Sequence, residues 1–291
     1  TLNEEEAVGT VIDEILHEGY KNILIVDGNS TDKTRDIAKS KQVKVVKQDG
    51  KGKSDALKKA LEYVETPYIL IMDCDYTYDP KDIEKFFGKI KTSDQVIGIR
   101  DLRNNSLKKL NSYGNSLITK GFNLSMGSKL HDVCSGMYMF HTKFLKKIEF
   151  TSKGFQIELE LAAKTGEFGK ISEVPINYRE RIGKPKMSRS EETPKVFKEI
   201  FKFAKIYNPS LLFALFSSSL IIPGIILLLW IGLRWIVNPE DYRPGVVQVA
   251  IILMVLGSNG IAFTLISSHL RRIEKKINSI LWNTGRDPET N

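Results

Sequence analysis

The chain is poor in cysteine and histidine, and this scarcity removes several classes of protein. Its 291 residues include two cysteines, Cys74 and Cys134, which give no disulfide framework and favour a reducing compartment. The four histidines are scattered, so they predict no His-based metal site. Zinc-finger spacings and the aromatic motifs of RNA-binding domains are missing, which argues against nucleic acid as a partner. The net charge of +8 instead suits an anionic membrane surface or a phosphorylated substrate.

Strand-like and helix-like segments alternate over the first hundred residues. Short apolar runs predict strands at residues 22–26, 43–46, 68–72 and 95–100. Apolar periodicity and capping residues predict helices at 4–18, 31–40 and 53–64, with a further helix beginning at Pro80. Because helices separate the strands, we expect an α/β domain with a mostly parallel sheet and right-handed crossovers.

Two carboxylates follow the third of these strands. Asp73 and Asp75 flank Cys74, where the apolar run at 68–72 enters its loop. In an open parallel sheet, ligands bind at the carboxyl ends of the strands. Paired hard oxygens at that edge suit Mg²⁺ or Mn²⁺, which keep positions open for phosphate oxygens. A solvated acidic turn is the alternative interpretation of such a pair.

Four further passages are predicted at the same edge of the sheet. Residues 1–4 lie where a first strand would end, residues 26–32 end the second strand, and Arg100 ends the fifth. Residues 50–53, Gly-Lys-Gly-Lys, begin a helix and offer backbone N–H groups and ammonium charge to phosphate. Each passage is weak evidence alone, but their order and spacing together indicate a phosphate-handling site.

The last third of the chain contains two long stretches without a charged residue. Residues 211–233 and 246–268 each exceed the roughly 20 residues needed to cross a bilayer core of about 30 Å. Two buried core helices are the alternative. Because the connection at 238–245 is short and contains two prolines, we expect a helical hairpin.

Flanking charge predicts the orientation of this hairpin. Lysines precede the first stretch and residues 271–276 are basic, whereas the connecting loop carries two acids and Arg243. The positive-inside rule therefore places both termini and the N-terminal domain in the cytoplasm, with the chain in the cell membrane. Residues 195–207 interleave lysines with apolar side chains, which suits a helix in the membrane interface or a plain linker helix.

The passages together resemble family 2 glycosyltransferases of the GT-A fold. The resemblance is greatest to polyprenyl-phosphate or dolichyl-phosphate hexose synthases, in particular archaeal members that load the first sugar of an N-glycan onto dolichyl phosphate. The similar passages are residues 1–4, 26–32, 50–53, 73–80, 96–100, 132–136, 155–158 and 173–179. The resemblance implies a Rossmann-like GT-A domain, and it leads us to expect an apolar strand just before Thr1.

Resemblance and hydropathy together divide the chain into four parts. We predict a cytoplasmic glycosyltransferase domain at 1–190, a juxtamembrane amphipathic helix at 191–208, a transmembrane hairpin at 209–270 and a basic cytoplasmic tail at 271–291. The two spans of the hairpin are expected at about 211–235 and 246–268.

The resemblance also implies roles for individual residues. The expected nucleotide-sugar contacts are Thr1, Leu2, Glu4, Val26, Asp27, Gly28, Lys51, Lys53 and Cys74. The expected metal ligands for Mg²⁺ or Mn²⁺ are Asp73, Asp75 and Thr77. The expected catalytic residues are Asp73, Asp75, Arg100, Arg181 and Lys186. The expected contacts to the lipid-phosphate acceptor are Arg100, Asp132, Ser135, Glu158 and Arg179.

Two departures from the family pattern bear on the donor. Mannose-transferring relatives often carry a second aspartate where this chain has Gly28, and an amide metal ligand where it has Thr77. Both departures favour UDP-glucose or a UDP-N-acetylhexosamine over GDP-mannose, which remains the second choice.

The implied reaction is an inverting transfer of a hexose to dolichyl or polyprenyl phosphate. A phosphate monoester has a second pKa of about 6, so at neutral pH it needs little help from a general base. It does need cations, and the basic run at 179–188 would supply them, although a solvated loop or attraction to anionic lipid also explains that run. The rival readings are transfer to a hydroxyl with Asp132 as base, and a non-catalytic nucleotide-sugar-binding scaffold on the membrane. Residues 257–260 leave oligomerisation through the hairpin open.

Overall fold

A computed structural model describes residues 1–101, 106–150, 156–183, 198, 201–202, 204–205, 208–240 and 243–283. The chain divides into two compact units, one formed by residues 1–123 and 128–200 and the other by residues 124–127 and 201–291. The helices are Val8–His17 (α1), Thr34–Ser40 (α2), Lys53–Leu61 (α3), Ile83–Ile90 (α4), Ser106–Met126 (α5), Thr142–Lys147 (α6), Gln156–Phe168 (α7), Pro209–Val237 (α8) and Pro244–Asn283 (α9). The strands are Leu24–Asp27 (β1), Lys44–Lys47 (β2), Tyr68–Ile71 (β3), Gln95–Asp101 (β4), Tyr138–His141 (β5) and Ile171–Asn177 (β6).

The strands of the first unit form a parallel pair and a four-stranded mixed sheet. In the pair, Leu24 of β1 lies opposite Lys44 of β2. The larger sheet has the order β3-β5-β4-β6, in which β4 and β6 run parallel while β5 is antiparallel to both of its neighbours. The predicted α/β class is confirmed, but the sheet is mixed rather than mostly parallel because β5 enters between β3 and β4 in the opposite direction.

Among the described residues, an apolar cluster on each sheet helps to hold the first unit together. On the larger sheet, α4 packs its amphipathic face, including Phe86 and Ile90, against Val96, Met139 and Ile176. Beside the parallel pair, α1 and α2 bury Val8, Ile12, Ile25 and Ala38. Since burying one large aliphatic side chain contributes about 1.5–3 kcal/mol, these clusters fix the sheet edges from which the polar loops project.

The second unit is dominated by α8 and α9, which pack against each other as a hairpin. Both helices are long and apolar enough to cross a membrane, and they contain the two spans predicted from the sequence. Within the predicted juxtamembrane helix, residues 198, 201–202 and 204–205 are helical, and its other residues except Asn208 lie outside the described residues. The predicted basic tail begins inside α9, which continues to Asn283, and residues 284–291 lie outside the described residues.

Small residues bring the two helices of the hairpin into close contact. A Cβ at Gly257 would lie 2.4 Å from Ile221 Cγ1 and 3.1 Å from the Ser217 carbonyl oxygen. A Cβ at Gly260 would fall on the Ser217 hydroxyl, and one at Gly224 would lie 2.9 Å from Met254 Cγ. Helices in a lipid environment gain stability from this kind of close packing, because apolar burial alone favours association little there.

The hairpin contact predicts unequal effects of two identical substitutions. Gly257→Leu should lower the unfolding free energy of the detergent-solubilised chain by about 1–3 kcal/mol, because the added side chain must push α8 away. Gly232→Leu is the matched control, since a Cβ at Gly232 meets no described atom within 4 Å beyond its own helix backbone, and both changes gain the same helix propensity. Thermal unfolding of the two variants measures the difference, and equal midpoints would contradict the packing account.

Candidate active site

The loop after β3 carries the two aspartates in a tight turn. Asp75 is buried, and its Oδ1 accepts hydrogen bonds from the Thr77 hydroxyl at 2.5 Å and from the Thr77 backbone N–H at 3.2 Å. Between them, Tyr76 has a φ of 72°, in the left-handed region that costs a bulky residue backbone energy. The turn therefore holds Asp75 and Thr77 in one fixed arrangement.

Asp73 is tied to a second carboxylate through Lys53. The Lys53 ammonium lies 2.7 Å from Asp73 Oδ1 and 2.5 Å from Glu158 Oε1. Lys53 is placed there because α3 begins at this residue, directly after Gly52, whose φ of 88° suits glycine. Burial acts to lower the pKa of Lys53, but the charges of Asp73 and Glu158 outweigh it and raise that pKa well above its usual range. Lys53 is therefore protonated and links the two carboxylates.

Glu158 is the most deeply buried member of this group. Burial raises the pKa of the Glu158 carboxyl, and the neighbouring Lys53 charge opposes that rise. Oε2 of Glu158 and the hydroxyl of Tyr138 are buried polar atoms without a hydrogen-bond partner in the described part of the chain. Unpaired buried polar atoms cost about 1–3 kcal/mol each, so they mark a place where another polar group would be stabilising.

Asp75 is paired with a guanidinium from the segment after β6. Arg181 donates from Nη1 to Asp75 Oδ2 and from Nη2 to Glu4 Oε1, each at 2.5 Å. The backbone N–H of Ile182 also donates to the Asp75 carbonyl oxygen at 3.2 Å, which fixes this segment against the loop. Nε of Arg181 is buried and has no partner among the described residues. The Nε–H of Arg181 is thus an unused buried donor beside the aspartate pair.

Arg100 and Asp132 form a buried, two-pronged ion pair. Nε and Nη2 of Arg100 each donate to one oxygen of Asp132, both at 2.7 Å. The Arg100 guanidinium also lies over the Tyr178 ring, 5.4 Å from its centre. Glu173 of β6 accepts from the backbone N–H groups of His131 and Asp132, at 2.8 and 3.3 Å. These bonds position the loop that carries Asp132.

The loop between α5 and β5 closes against the aspartates. The backbone N–H of Gly136 donates to the Tyr78 hydroxyl at 2.6 Å, and a Cβ at Gly136 would lie 2.1 Å from Asp73 Oδ2. Glycine is therefore required for this close approach. Ser135 is buried, and its hydroxyl accepts a 3.4 Å bond from the Met137 backbone N–H. Burial raises the pKa of the Cys74 thiol to about 11 and that of Cys134 to about 12, so both thiols are neutral at physiological pH.

The predicted nucleotide contacts cluster at the end of β1. The backbone nitrogen of Thr1 donates to the Val26 carbonyl oxygen at 2.8 Å, and the Thr1 carbonyl oxygen accepts from the Gly28 N–H at 2.7 Å. A Cβ at Gly28 would lie 3.3 Å from Leu2 Cβ. Asp27 is fully buried, accepts from the Ser30 N–H at 3.1 Å and lies 3.5 Å from Arg35 Nε. Lys51 is exposed in the turn before α3.

Arg179 contacts two carboxylates and an aromatic ring. Its guanidinium lies 2.7 Å from Glu14, 2.6 Å from Asp79 and 4.8 Å from the centre of the Tyr76 ring. In these contacts it braces the strained turn, and its predicted contact to the acceptor stays a prediction. Lys186, the last predicted catalytic residue, lies outside the described residues.

Sequence reasoning assigned no role to Tyr78, Gly136, Tyr138 or Tyr178. Gly136 lies inside a passage that resembles the family, so the requirement for glycine there was a usable signal. Tyr78 and Tyr178 also lie in such passages, but their roles, like that of Tyr138, depend on long-range contacts to Gly136, Arg100 and Lys53.

The donor atoms at the aspartate turn fit a hard divalent cation. Two carboxylates and a hydroxyl are oxygen ligands, and each carboxylate already attracts a cationic side chain, Lys53 at Asp73 and Arg181 at Asp75. Within the described ranges, no group of three or more His, Cys, Asp and Glu side chains is arranged to hold a metal. A cation at this turn would therefore keep positions open for other oxygens.

Known proteins share both the sequence pattern and the fold. The profile of Glycosyl transferase family 2 matches residues 1–149. The chain is 33% identical over 293 aligned residues to Glycosyltransferase AglJ of Haloferax volcanii, covering 96% of each chain. It is also 33% identical to a dolichyl-phosphate hexose transferase of the same organism, over 64% of this chain and 83% of that one.

A solved structure shows the same fold at low identity. Glucosyl-3-phosphoglycerate synthase of Mycobacterium tuberculosis, crystallised with Mn²⁺ and UDP-glucose, superposes with a TM-score of 0.60 at 18% identity. The superposition covers 70% of this chain and 77% of the synthase. Because the family profile spans half of the chain and one relative matches nearly all of it, the chain belongs to glycosyl transferase family 2 and is a glycosyltransferase.

Proposed function

We propose that the chain transfers a hexose from a nucleotide sugar to dolichyl or polyprenyl phosphate, with inversion at the anomeric carbon. UDP-glucose or a UDP-N-acetylhexosamine is the favoured donor and GDP-mannose the second. The product would supply lipid-linked sugar for protein glycosylation or for cell-surface glycans. A relative that is named a dolichyl-phosphate hexose transferase and the two apolar helices support a lipid acceptor.

The guanidinium of Arg181, whose Nε is buried, is the observation that carries this proposal. Its Nε has no partner among the described residues, although its other two nitrogens bind Asp75 and Glu4. A buried donor without a partner is unfavourable, and a phosphate oxygen would satisfy it with a charge-assisted bond. Both substrates in the proposed reaction bring phosphate oxygens to this edge of the sheet.

The reaction forms one bond and breaks another at the anomeric carbon. An oxygen of the lipid phosphate attacks C1 of the sugar, the bond from C1 to the diphosphate oxygen breaks, and the nucleoside diphosphate leaves with that electron pair. The dianionic phosphate gives up no proton, so no general base is required. A divalent cation held by Asp73 and Asp75, with Thr77, would neutralise the leaving diphosphate. Arg100, Arg181 and Lys186 would bind and orient the phosphates of donor and acceptor.

Asp132 supports a phosphate acceptor over a hydroxyl acceptor. Both of its oxygens accept hydrogen bonds from Arg100, so the carboxylate is engaged with a guanidinium rather than with an acceptor hydroxyl. A hydroxyl acceptor would need a base at this position, whereas a phosphate dianion does not. Glu158, Ser135 and Arg179 remain proposed contacts to the acceptor, and the residues around the end of β1 remain proposed contacts to the nucleotide.

Membrane placement is part of the same proposal. α8 and α9 would cross the bilayer as a hairpin, with both termini and the glycosyltransferase domain in the cytoplasm, because basic residues flank the outer ends of the pair. This arrangement would anchor the glycosyltransferase domain to the membrane that holds the acceptor.

A transfer assay in membranes tests the proposal. The full chain is incubated with dolichyl phosphate, Mg²⁺ or Mn²⁺, and labelled UDP- and GDP-sugars supplied one at a time. We expect label to enter the organic phase from one donor, in a product of inverted anomeric configuration, and none with unphosphorylated dolichol. Transfer to a hydroxyl acceptor in place of the lipid phosphate would establish the rival reaction, and nucleotide-sugar binding without transfer to any acceptor would establish a scaffold.

A further inference from the structure

We propose that Lys53 is a built-in counter-cation that makes metal binding and nucleotide binding depend on each other. This inference rests on the proposed function, in which Asp73 and Asp75 hold the metal. It assigns Lys53 a positioning role that follows from its contact with two carboxylates rather than one. The residue is part of this chain's own Gly-Lys-Gly-Lys passage at 50–53.

The two contacts of Lys53 differ in how readily they can be exchanged. The Glu158 side chain is 3% exposed and sits on the first turn of α7, so its contact with Lys53 is fixed. The Asp73 side chain is 35% exposed and lies in a loop, so its contact with the same ammonium can be exchanged for another partner. Glu158 therefore holds Lys53 in place while Asp73 is free to take a different cation.

A divalent cation must compete with this ammonium. A metal that approaches Asp73 meets Lys53 at 2.7 Å from Oδ1, and one that approaches Asp75 meets Arg181 at 2.5 Å from Oδ2. Displacing either cation leaves it with its second carboxylate alone and removes a charge-assisted contact, which is costly unless a new partner replaces it. A metal alone should accordingly bind weakly at this turn.

A nucleoside diphosphate changes that balance. Its phosphate oxygens give Lys53 and Arg181 new partners when the metal takes Asp73 and Asp75, so each ligand makes room for the other. Coupling of this kind is reciprocal: the factor by which the nucleotide tightens metal binding equals the factor by which the metal tightens nucleotide binding. Lys53 would therefore disfavour two states of the protein: the complex with metal alone and the complex with nucleotide alone.

Direct binding of Mn²⁺ to the detergent-solubilised full chain tests this role. Free Mn²⁺ is measured by electron paramagnetic resonance, without nucleotide and with saturating UDP or GDP. For the wild-type chain we expect the nucleotide to tighten Mn²⁺ binding by about ten- to a hundredfold. In Lys53→Met, Mn²⁺ alone should bind about tenfold more tightly and the gain from nucleotide should shrink by a similar factor, because Asp73 and Glu158 lose their counter-charge.

A second variant should change Mn²⁺ affinity in the opposite direction. Glu158→Gln leaves the lysine with Asp73 as its remaining carboxylate partner, so Mn²⁺ alone should bind more weakly than in the wild-type chain. This variant also tests the proposal if Lys53→Met does not fold. Lys53→Arg should keep most of the coupling, and Lys58→Met, an exposed lysine on the same helix, should change nothing.

The outcomes separate this inference from the proposed function. Mn²⁺ binding with unchanged coupling in Lys53→Met, or tighter binding in Glu158→Gln, would overturn the role of Lys53 and leave the metal site standing. A wild-type chain that binds no Mn²⁺ with either nucleotide would overturn the metal site and the inference together.

Discussion

Replacing Asp75 by asparagine is expected to lower hexose transfer by about 10²–10³-fold while the protein stays folded. The amide keeps the shape of the side chain and can still accept the hydrogen bonds from Thr77. It loses the negative charge that pairs with Arg181 and that would hold a cation on the leaving diphosphate. Because that charge acts where negative charge develops during the reaction, its loss should appear mainly in kcat.

The measurement is the initial rate of transfer to the lipid phosphate, taken together with a thermal unfolding curve for each protein. Asp36→Asn is the matched control, since Asp36 is an exposed aspartate on α2 outside the site. The control should keep the wild-type rate. An Asp75→Asn variant that keeps most of its activity would remove Asp75 from the metal site.

Removing the charge of Asp132 should destabilise the fold by about 3–5 kcal/mol, because it leaves the Arg100 guanidinium buried without its carboxylate. Both side chains are less than a tenth exposed and are joined by two hydrogen bonds of 2.7 Å. Arg100→Met should cost a similar amount. The double variant should cost less than the sum of the two, because neither charge is then left alone.

Chemical unfolding of the wild-type chain, Asp132→Asn, Arg100→Met and the double variant measures these free energies as a double-mutant cycle. The surface pair of Lys41 and Asp13 is the control, and Asp13→Asn should cost less than about 1 kcal/mol because both groups are solvated. The same variants distinguish the two acceptor chemistries. If Asp132→Asn abolished transfer without loss of stability, Asp132 would act as a base, and a hydroxyl acceptor would replace the lipid phosphate.

Local pattern predicted the elements that carry the site. The apolar run ending before Asp73 is β3, the glycine-rich turn leads into α3 at Lys53, and the two charge-free stretches lie in α8 and α9. Each of these signals depends on a few neighbouring residues, which is why periodicity and turn chemistry were enough.

Long-range partners displaced the predicted helix starts. The sequence predicted a helix from Glu4, but α1 begins at Val8, and the N–H groups of residues 3–5 donate to side chains of the 30–34 loop. Ser30 or Thr31 was expected to cap the helix predicted at 31–40, yet the Ser30 hydroxyl accepts from the Asn3 N–H, and α2 begins at Thr34. Capping propensity is local, and here contacts across about thirty residues outcompete it.

Side-chain pairing across the fold was beyond sequence reasoning. Lys53 and Glu158 are 105 positions apart, and Arg181 and Glu4 are 177 apart, so no spacing rule connects them. The direction of β5 was equally hidden, because an apolar run predicts a strand without predicting its neighbours.

The left-handed backbone of Tyr76 sets two kinds of selection against each other. A bulky residue in that region costs about 1–2 kcal/mol, which glycine would avoid. A lineage adapting to heat would gain from glycine at this position, yet it would lose the aromatic ring against which Arg179 braces the turn. Selection for thermal stability and selection for a fixed pair of aspartates therefore favour different residues at position 76.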